Sequence, residues 1–364
     1  MNLFKVKVRR ILITSPSLHV QNNVSGIASL VSDIINNSKL DFVHLQLGSK
    51  DGSKKNLNWA AGQVRIYLNI IFVSLFKRYD FVHLNLGLEK LSIIRDSLIF
   101  FIVKKLFRKK VILHIHGGYY LMNNCPDKLV NFLLKKDFKY AEAIIVLSNL
   151  EKEILSKTYG NLSFYVFPNA VDTILANSLD ERPSHADTRF VFMARITESK
   201  GIYTISESLQ HLSAYFNRFS LAIYGAGPDV KEWLDRLKKI PGLKYHFNGV
   251  VGGKDKWNAL KSSDVLLLPS LYGEGMPIVM IEAMAVGCVV IVTDIASVKS
   301  VITNNVNGIL LTESDPKQLA ERIKDIIEGR VDVKAIGQNA KAYVNDHLTL
   351  AGYITKLEQL YAAL

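Results

Sequence analysis

The chain reads as two doubly wound α/β domains in tandem, each built on a parallel sheet. Three observations predict this. Short apolar runs alternate with longer stretches of helical spacing, and the alternation runs through the sequence twice. Strands apolar along their whole length are covered on both faces, as in parallel sheets with flanking helices. The length of 364 residues suits two domains of about 150–200 residues better than one. Between the two rounds lies LANSLDERPSHADT, polar and without periodicity, which puts the interdomain connection near residues 170–187.

In the first half the strand-like runs are Val8–Thr14, Phe42–Leu47, Phe81–Leu86, Val111–Ile115, Ala143–Leu147 and Phe164–Phe167. Helical spacing fills the gaps, as at Ile27–Asn36 and Lys128–Lys139. In the second half the strands read at Phe190–Ala194, Ser220–Tyr224, Leu243–Phe247, Val265–Leu268, Val289–Val292 and Gly308–Leu311. Helices read at Gly201–Leu212, Asp229–Lys239, Lys254–Lys261, Pro277–Val286 and Pro316–Glu328. The tail from Val333 to Leu364 is helical, with a break around His347–Leu350. The expected division is a first domain over 1–170, a second over 171–345, and a C-terminal helix over 346–364 that packs back toward the first. Two doubly wound domains place their sites at the carboxyl ends of strands, facing a shared cleft.

Composition narrows the class. With 49% hydrophobic and 21% charged residues the chain can bury two cores, which argues against disorder. The N-terminal apolar run, Ile11 to Ile13, is three residues, against the roughly 7–15 of a signal peptide. Cys125 and Cys288 are the only cysteines, too few for a disulfide scaffold. These features lead to the expectation of a cytoplasmic protein. The longest uncharged apolar stretch, Ile66 to Phe76, has 11 residues, against about 20 for a spanning helix.

The formal charge of +12 requires an account, and basic proteins seek phosphates: nucleic acid, anionic lipid or a phosphorylated substrate. Lys104, Lys105, Arg108, Lys109 and Lys110 cluster after the apolar run LSIIRDSLIFFIV. A helix there would be basic and amphipathic, which suits an anionic membrane surface. The alternative is a core-packing helix with a solvated basic end.

The richest chemistry lies in PSLYGEGMPIVMIEAMAVG, residues 269–287. An apolar strand ends in a loop, and Pro277 suits the first turn of the following helix. That helix is apolar except for Glu282, and a carboxylate on a buried helix is costly unless paired or hydrogen-bonded. One turn in, it can point at a ligand over the strand ends, where carboxylates accept ribose hydroxyls; the alternative is a structural ion pair. Glu274 lies in the loop ahead, beside backbone amides that favour anions or sugar hydroxyls.

Glu274 and Glu282 form an E-x7-E pair, and the segment resembles retaining GT-B glycosyltransferases of the glycosyltransferase family 4 group. The resemblance implies a GT-B fold of two Rossmann-like domains, the first binding an acceptor and the second a nucleoside-diphosphate sugar. It implies that Glu274 sits by the donor sugar and that Glu282 binds the ribose, with Gly275, Met276, Pro277 and Ile278 lining the same site. Phe192-Met193-Ala194-Arg195-Ile196-Thr197-Glu198-Ser199-Lys200-Gly201 is similar to the family's strand-end segment with Arg and Lys five residues apart. Departure of a diphosphate builds negative charge, which the fork of Arg195 and the point charge of Lys200 would stabilise.

Other segments extend the likeness. Tyr224-Gly225-Ala226-Gly227-Pro228 resembles the family's Gly-x-Gly-Pro turn, so Gly225 and Gly227 would let backbone approach the nucleotide. His246-Phe247-Asn248-Gly249-Val250 matches the segment that lines the base, through Asn248 and Gly249. Val111-Ile112-Leu113-His114-Ile115-His116-Gly117-Gly118 ends a strand in His-Gly, which implies that His116 reaches the donor sugar. His114 points to the same face but deeper. Near the start, Asn23-Val24-Ser25-Gly26-Ile27 opens the first helix; the family has a glycine pair there, and with Ser25 replacing one, Gly26 carries the match. Phe167-Pro168-Asn169-Ala170-Val171-Asp172 resembles the interdomain Pro-Asn-Gly-Val-Asp, with Ala170 in place of glycine.

Asp-x-Asp, which metal-dependent GT-A transferases use, is absent, as are zinc spacings and a P-loop. The expectation is therefore a transferase without metal or cofactor. It would move a hexosyl group to a hydroxyl acceptor with retained configuration, Glu274 positioning rather than attacking. Two rivals are a nucleotide-sugar epimerase of the same fold and a non-catalytic basic protein that binds membrane or phosphate. The acceptor expected is a saccharide or lipid-linked saccharide of bacterial surface polysaccharide or lipopolysaccharide synthesis. The chain would meet it at the inner face of the membrane, with peripheral contact to anionic lipid and no role for nucleic acid.

Overall fold

The computed structural model describes residues 10–48, 57–122, 125–180 and 186–364. They divide into two compact units. The described residues of Met1–Leu18, Ile27–Phe167 and Ala351–Leu364 form one; His19–Gly26 and Pro168–Leu350 form the other. The short segment from His19 to Gly26 thus belongs with the C-terminal half.

The first unit carries β1 (Arg10–Ser15), α1 (Gly26–Asn37), β2 (Asp41–Gln46), α2 (Leu57–Phe76), β3 (Phe81–Leu86) and α3 (Lys90–Phe101). It continues with β4 (Lys110–Ile115), α4 (Tyr119–Met122), α5 (Lys128–Tyr140), β5 (Ala143–Val146), α6 (Asn149–Tyr159) and β6 (Phe164–Val166). Every pairing is parallel, in the order β2-β1-β3-β4-β5-β6. Ile11 to Ile13, Val82, Leu84 and Val111 to Leu113 are fully buried, as strands covered on both faces must be.

Local differences from the sequence reading have physical causes. The first strand begins at Arg10, and Val8 lies outside the described residues. The apolar stretch around Ile66–Phe76 is the second half of the 20-residue α2, and α6 fills the gap between β5 and β6. The basic helix expected after LSIIRDSLIFFIV is in two parts. α3 ends at Phe101 and passes into one π turn, Ile102–Leu106, that carries Lys104 and Lys105. Lys104 pairs with Glu142, and Lys109 donates to the Tyr79 carbonyl at 3.0 Å, so part of the cluster fastens this turn to the sheet.

The second unit carries α7 (Thr173–Asn177), β7 (Thr188–Met193), α8 (Ile202–Gln210), β8 (Phe219–Tyr224), α9 (Val230–Lys238) and β9 (Tyr245–Phe247). It continues with α10 (Gly253–Lys261), β10 (Val265–Leu268), α11 (Ile278–Ala285), β11 (Val289–Thr293), β12 (Ile309–Leu311), α12 (Pro316–Ile327) and α13 (Val333–His347). Its sheet runs β12-β11-β10-β7-β8-β9, all parallel. Numbered within the unit this is the Rossmann order 3-2-1-4-5-6, with its topological switch between β7 and β10.

The chain ends in α14 (Leu350–Ala363), after a break at Leu348 and Thr349. α14 completes the core of the first unit. Tyr361 is 1% exposed, its ring 6.5 Å from Phe42, 6.2 Å from Phe81 and 5.9 Å from His83. Glu358 accepts from Ser38 Oγ at 2.7 Å and from the Lys39 amide at 3.0 Å.

Candidate functional site

In the second unit the residues singled out in the sequence gather at the carboxyl ends of β7 and β10, the two strands that flank the topological switch. Strand order alone brings this about: β7 pairs directly with β10, so the loop that carries Arg195 and Lys200 meets the loop that carries Glu274. Lys200 Nζ donates to Glu274 Oε1 at 2.5 Å, and the two side chains are only 20% and 11% exposed. Ser270 Oγ donates to the same oxygen at 2.9 Å. A charge pair this shielded keeps much of its Coulomb attraction, and neither partner can be removed without leaving the other's charge half-buried.

The loops that hold this pair are locked by backbone contacts. Gly201 follows Lys200 with φ +74°, and a Cβ there would lie 1.9 Å from the Pro269 carbonyl oxygen. The Leu271 amide donates to the Ser199 carbonyl at 2.9 Å. Gly227 is held as tightly, since a Cβ would meet the Ile196 oxygen at 2.1 Å. The glycines of the Gly-Ala-Gly-Pro turn therefore admit the β7 loop against the β8 loop, where Ile196 donates to Ala226 at 2.9 Å. The Gly225 amide donates to the Gly249 carbonyl at 2.8 Å and that of Asn248 to Ile223 at 2.9 Å, so the β9 end joins the same cluster. The Asn248 side chain is exposed.

Gly275, Met276 and Pro277 are buried ahead of α11, whose N-cap is Pro277 and whose first residue, Ile278, is buried too. Two residues that sequence reasoning did not single out pin this loop. Asn169 Nδ2 donates to the Met276 carbonyl at 2.7 Å, and the Ser297 amide to that of Gly275 at 3.2 Å. Asn169 comes from the Pro-Asn-Ala-Val-Asp segment, which signalled a turn and gave no sign of this partner. The His19–Gly26 segment joins the cluster: Arg195 Nη2 donates to the Val24 carbonyl at 3.4 Å. A Cβ on Gly26 would lie 3.5 Å from the Ile278 side chain.

Glu282 lies one turn into α11, its side chain 4% exposed, and pairs with Lys256 of α10. The sequence posed this choice between ribose ligand and ion pair, and an ion pair is present. Lys256 was missed because one lysine on an amphipathic helix carries no local mark of a buried partner 26 residues on.

The first unit holds a second polar cluster at the ends of β1, β3 and β4. Asn85 Nδ2 donates to the Thr14 carbonyl at 2.6 Å, which turns Asn85 Oδ1 toward His116 Nε2, also at 2.6 Å. A carbonyl oxygen only accepts, so in the neutral ring Nε2 carries the hydrogen and Nδ1 the lone pair. His114 stacks on His116 with centroids 3.9 Å apart, and His114 Nδ1 lies 3.1 Å from His83 Nε2. His83 Nδ1 is 2.5 Å from the Tyr361 hydroxyl.

Burial holds all three imidazoles in the neutral form. It lowers His83 to about 3 and, with the charge of His83 adding to it, His116 to about 3. Burial first, then His116 and His83, hold His114 well below its usual value. His116 is half-buried, whereas His83 and His114 are fully covered. Among the described residues no group of three or more His, Cys, Asp or Glu is placed to hold a metal ion.

The family model for glycosyl transferases group 1 matches residues 178–343, most of the second unit. The amylovoran biosynthesis glycosyltransferase AmsK of Erwinia amylovora is 30% identical over 188 residues, 48% of this chain and 46% of that protein. The phosphatidyl-myo-inositol mannosyltransferase of Mycolicibacterium smegmatis is 30% identical over 191 residues, 50% of this chain and 48% of its own. The first-ranked curated relatives are matched over 38% to 60% of their length. Among solved structures, Anabaena HepE in complex with UDP and glucose superposes with a TM-score of 0.76 at 16% identity, over 98% of this chain and 100% of that one. Two Rossmann-like parallel sheets, matched along nearly the whole chain, make this the GT-B fold, and residues 178–343 match the glycosyl transferases group 1 family.

Proposed function

We propose that the chain transfers a glycosyl group from a nucleoside-diphosphate sugar to a hydroxyl acceptor, with the anomeric configuration retained. The observation that carries this reading is the Lys200–Glu274 pair at the switch point, with Arg195 on the same strand-end loop. Fixed cations there meet the negative charge that develops as the diphosphate leaves, and charge already in place needs no reorganisation during the reaction. Glu274 keeps Lys200 in position and presents a carboxylate to donor-sugar hydroxyls. His116, with Nδ1 as its acceptor, takes the role at the donor sugar that the resemblance implies. Glu282, tied to Lys256, accepts a ribose hydroxyl, and Gly225, Gly227 and Gly249 bring backbone to the nucleotide.

In this reaction the bond from the anomeric carbon to the phosphate oxygen breaks. A bond to the acceptor oxygen forms on the same face, and the acceptor proton passes to the leaving phosphate oxygen. Arg195 and Lys200 supply the cations, so we expect transfer to continue in EDTA. The UDP and glucose bound by HepE make a UDP-sugar the first donor to try. AmsK, named for amylovoran synthesis, and the mannosyltransferase, named for phosphatidyl-myo-inositol, support a saccharide or lipid-linked acceptor, which we expect the chain to meet at the inner face of a membrane.

The test is a panel of UDP-, GDP- and ADP-sugars, each with and without saccharide acceptors. Transfer with one donor class, lowered at least about a hundredfold by Glu274→Gln, is the expected result. An isomerised donor without acceptor would mean an epimerase. Binding of no donor would remove the catalytic reading altogether.

A further inference from the structure

The first unit exposes an apolar helix face that its own core does not use. In α2, Val64, Leu68, Phe72, Leu75 and Phe76 recur at helical spacing and are 57% to 71% exposed, while Ile66 and Ile70 on the other side are buried. The Phe72 and Phe76 rings lie 4.7 Å apart. Three crossovers, from β2 to β3, β3 to β4 and β4 to β5, step the same way across the sheet. Right-handed crossovers then place α2, α3 and α5 on one face, and α2 contacts the π turn while α3 contacts α5. Leu98, Phe101, Leu106 and Phe132 on those neighbours are more than 40% exposed as well. Isolated exposed apolar residues are ordinary, but a contiguous set calls for a partner.

Charge identifies the partner. Residues 57–78, 102–110 and 128–140 contain twelve lysines and arginines and a single acid, Asp137. Asp137 is buried, which raises it to about 7. Arg65, Lys77, Arg78, Lys105 and Arg108 are exposed beside the apolar residues. A second copy docking by the same face would set like charge against like, whereas anionic lipid complements both features. No described helix is long and apolar enough to cross a bilayer, and α2, about 30 Å long, suits lying along one.

We infer that the α2 face, with the π turn and α5 beside it, seats the chain on an anionic membrane surface. Phe72 and Leu75 enter the acyl boundary, and Lys77 and Arg78 meet the headgroups. This deepens the lipid-linked acceptor reading, and its test needs neither donor nor acceptor. The full chain is sedimented with phosphatidylcholine vesicles and with mixed phosphatidylcholine–phosphatidylglycerol vesicles.

Preference for the mixed vesicles by at least about tenfold, weakening in salt, is expected. Phe72→Gln with Leu75→Gln, or Lys77→Gln with Arg78→Gln, lowers that binding about tenfold at unchanged Tm, since all four side chains are exposed. Equal binding to both vesicles, or variants that bind like the parent, overturns the assignment. So does a dimer that these substitutions dissociate and that ignores vesicles, which would make a second copy the occupant. A chain that binds vesicles yet glycosylates only free saccharides keeps the surface and loses the lipid-linked acceptor. One that glycosylates a lipid-linked saccharide without binding vesicles does the reverse.

Discussion

Lys200 and Glu274 share a hydrogen bond of 2.5 Å in a poorly solvated loop, so each depends on the other for its place. Lys200→Met is expected to lower kcat about 10²–10³-fold, with Glu274→Gln close behind. Because both remove the same pair, the double variant should lose much less than the product of the two. Single-turnover rates on all three variants check this, and additive losses would separate the two roles. His116 offers a second test. Its neutral state and tautomer depend on Asn85, and Asn85→Asp would place a carboxylate beside Nε2, favouring the imidazolium and raising the His116 pKa from about 3. The acid limb of the pH–rate profile should move upward in that variant and stay put in a Phe72→Gln control. These residues were legible as residue types on strand-end loops. The partners were not: Lys256, Asn169 and Asn85 meet their targets through space, 26, 107 and 31 residues away.

At the scale of elements, the glycines are the most exacting parts. Gly227→Ala would force a methyl carbon to within 2.1 Å of the Ile196 carbonyl, and backbone cannot yield as a flexible side chain can. A loss of about 1–3 kcal/mol or more is expected, read as a lower urea midpoint. Gly273, whose Cβ would meet nothing within 4 Å, is the comparison, where only the positive φ opposes alanine. Strands and most helices were legible because period-two and 3.6-residue patterns are written locally. The π turn after α3 was not, since an i→i+5 ladder has no sequence period of its own. The bounds of α2 were not legible because its apolar residues cover both its buried and exposed faces, which erases the amphipathic signal.

For the molecule as a whole, the histidine cluster links stability to pH. His83, His114 and His116 all have folded-state pKa values below 6.5. The unfolded chain therefore binds their protons first, and their stabilisation, full above pH 6.5, drains away as the pH falls toward 3. Asp137, raised to about 7, and Asp96, also raised by burial, act in the opposite sense. The three imidazoles outnumber the two carboxyls, so unfolding free energy should fall as the pH drops from 6.5 to 5. Urea titrations at several pH values check the slope; a flat profile would mean that the cluster opens to water before it protonates.

By itself the sequence determined the class of the protein: two rounds of strand and helix, and the glycine, proline and acid spacing of its strand-end loops. Those features are local, set by periodicity and turn chemistry within a few residues. Tertiary structure alone decided the rest. The Rossmann strand order brought β7 beside β10 and so joined Lys200 to Glu274, 74 residues on. It paired Glu282 with Lys256 and seated Tyr361 of the last helix on His83. It also left the α2 face outside the core. Pairings of this kind depend on which strands become neighbours, and non-local packing energy, not any nearby residue, makes that choice.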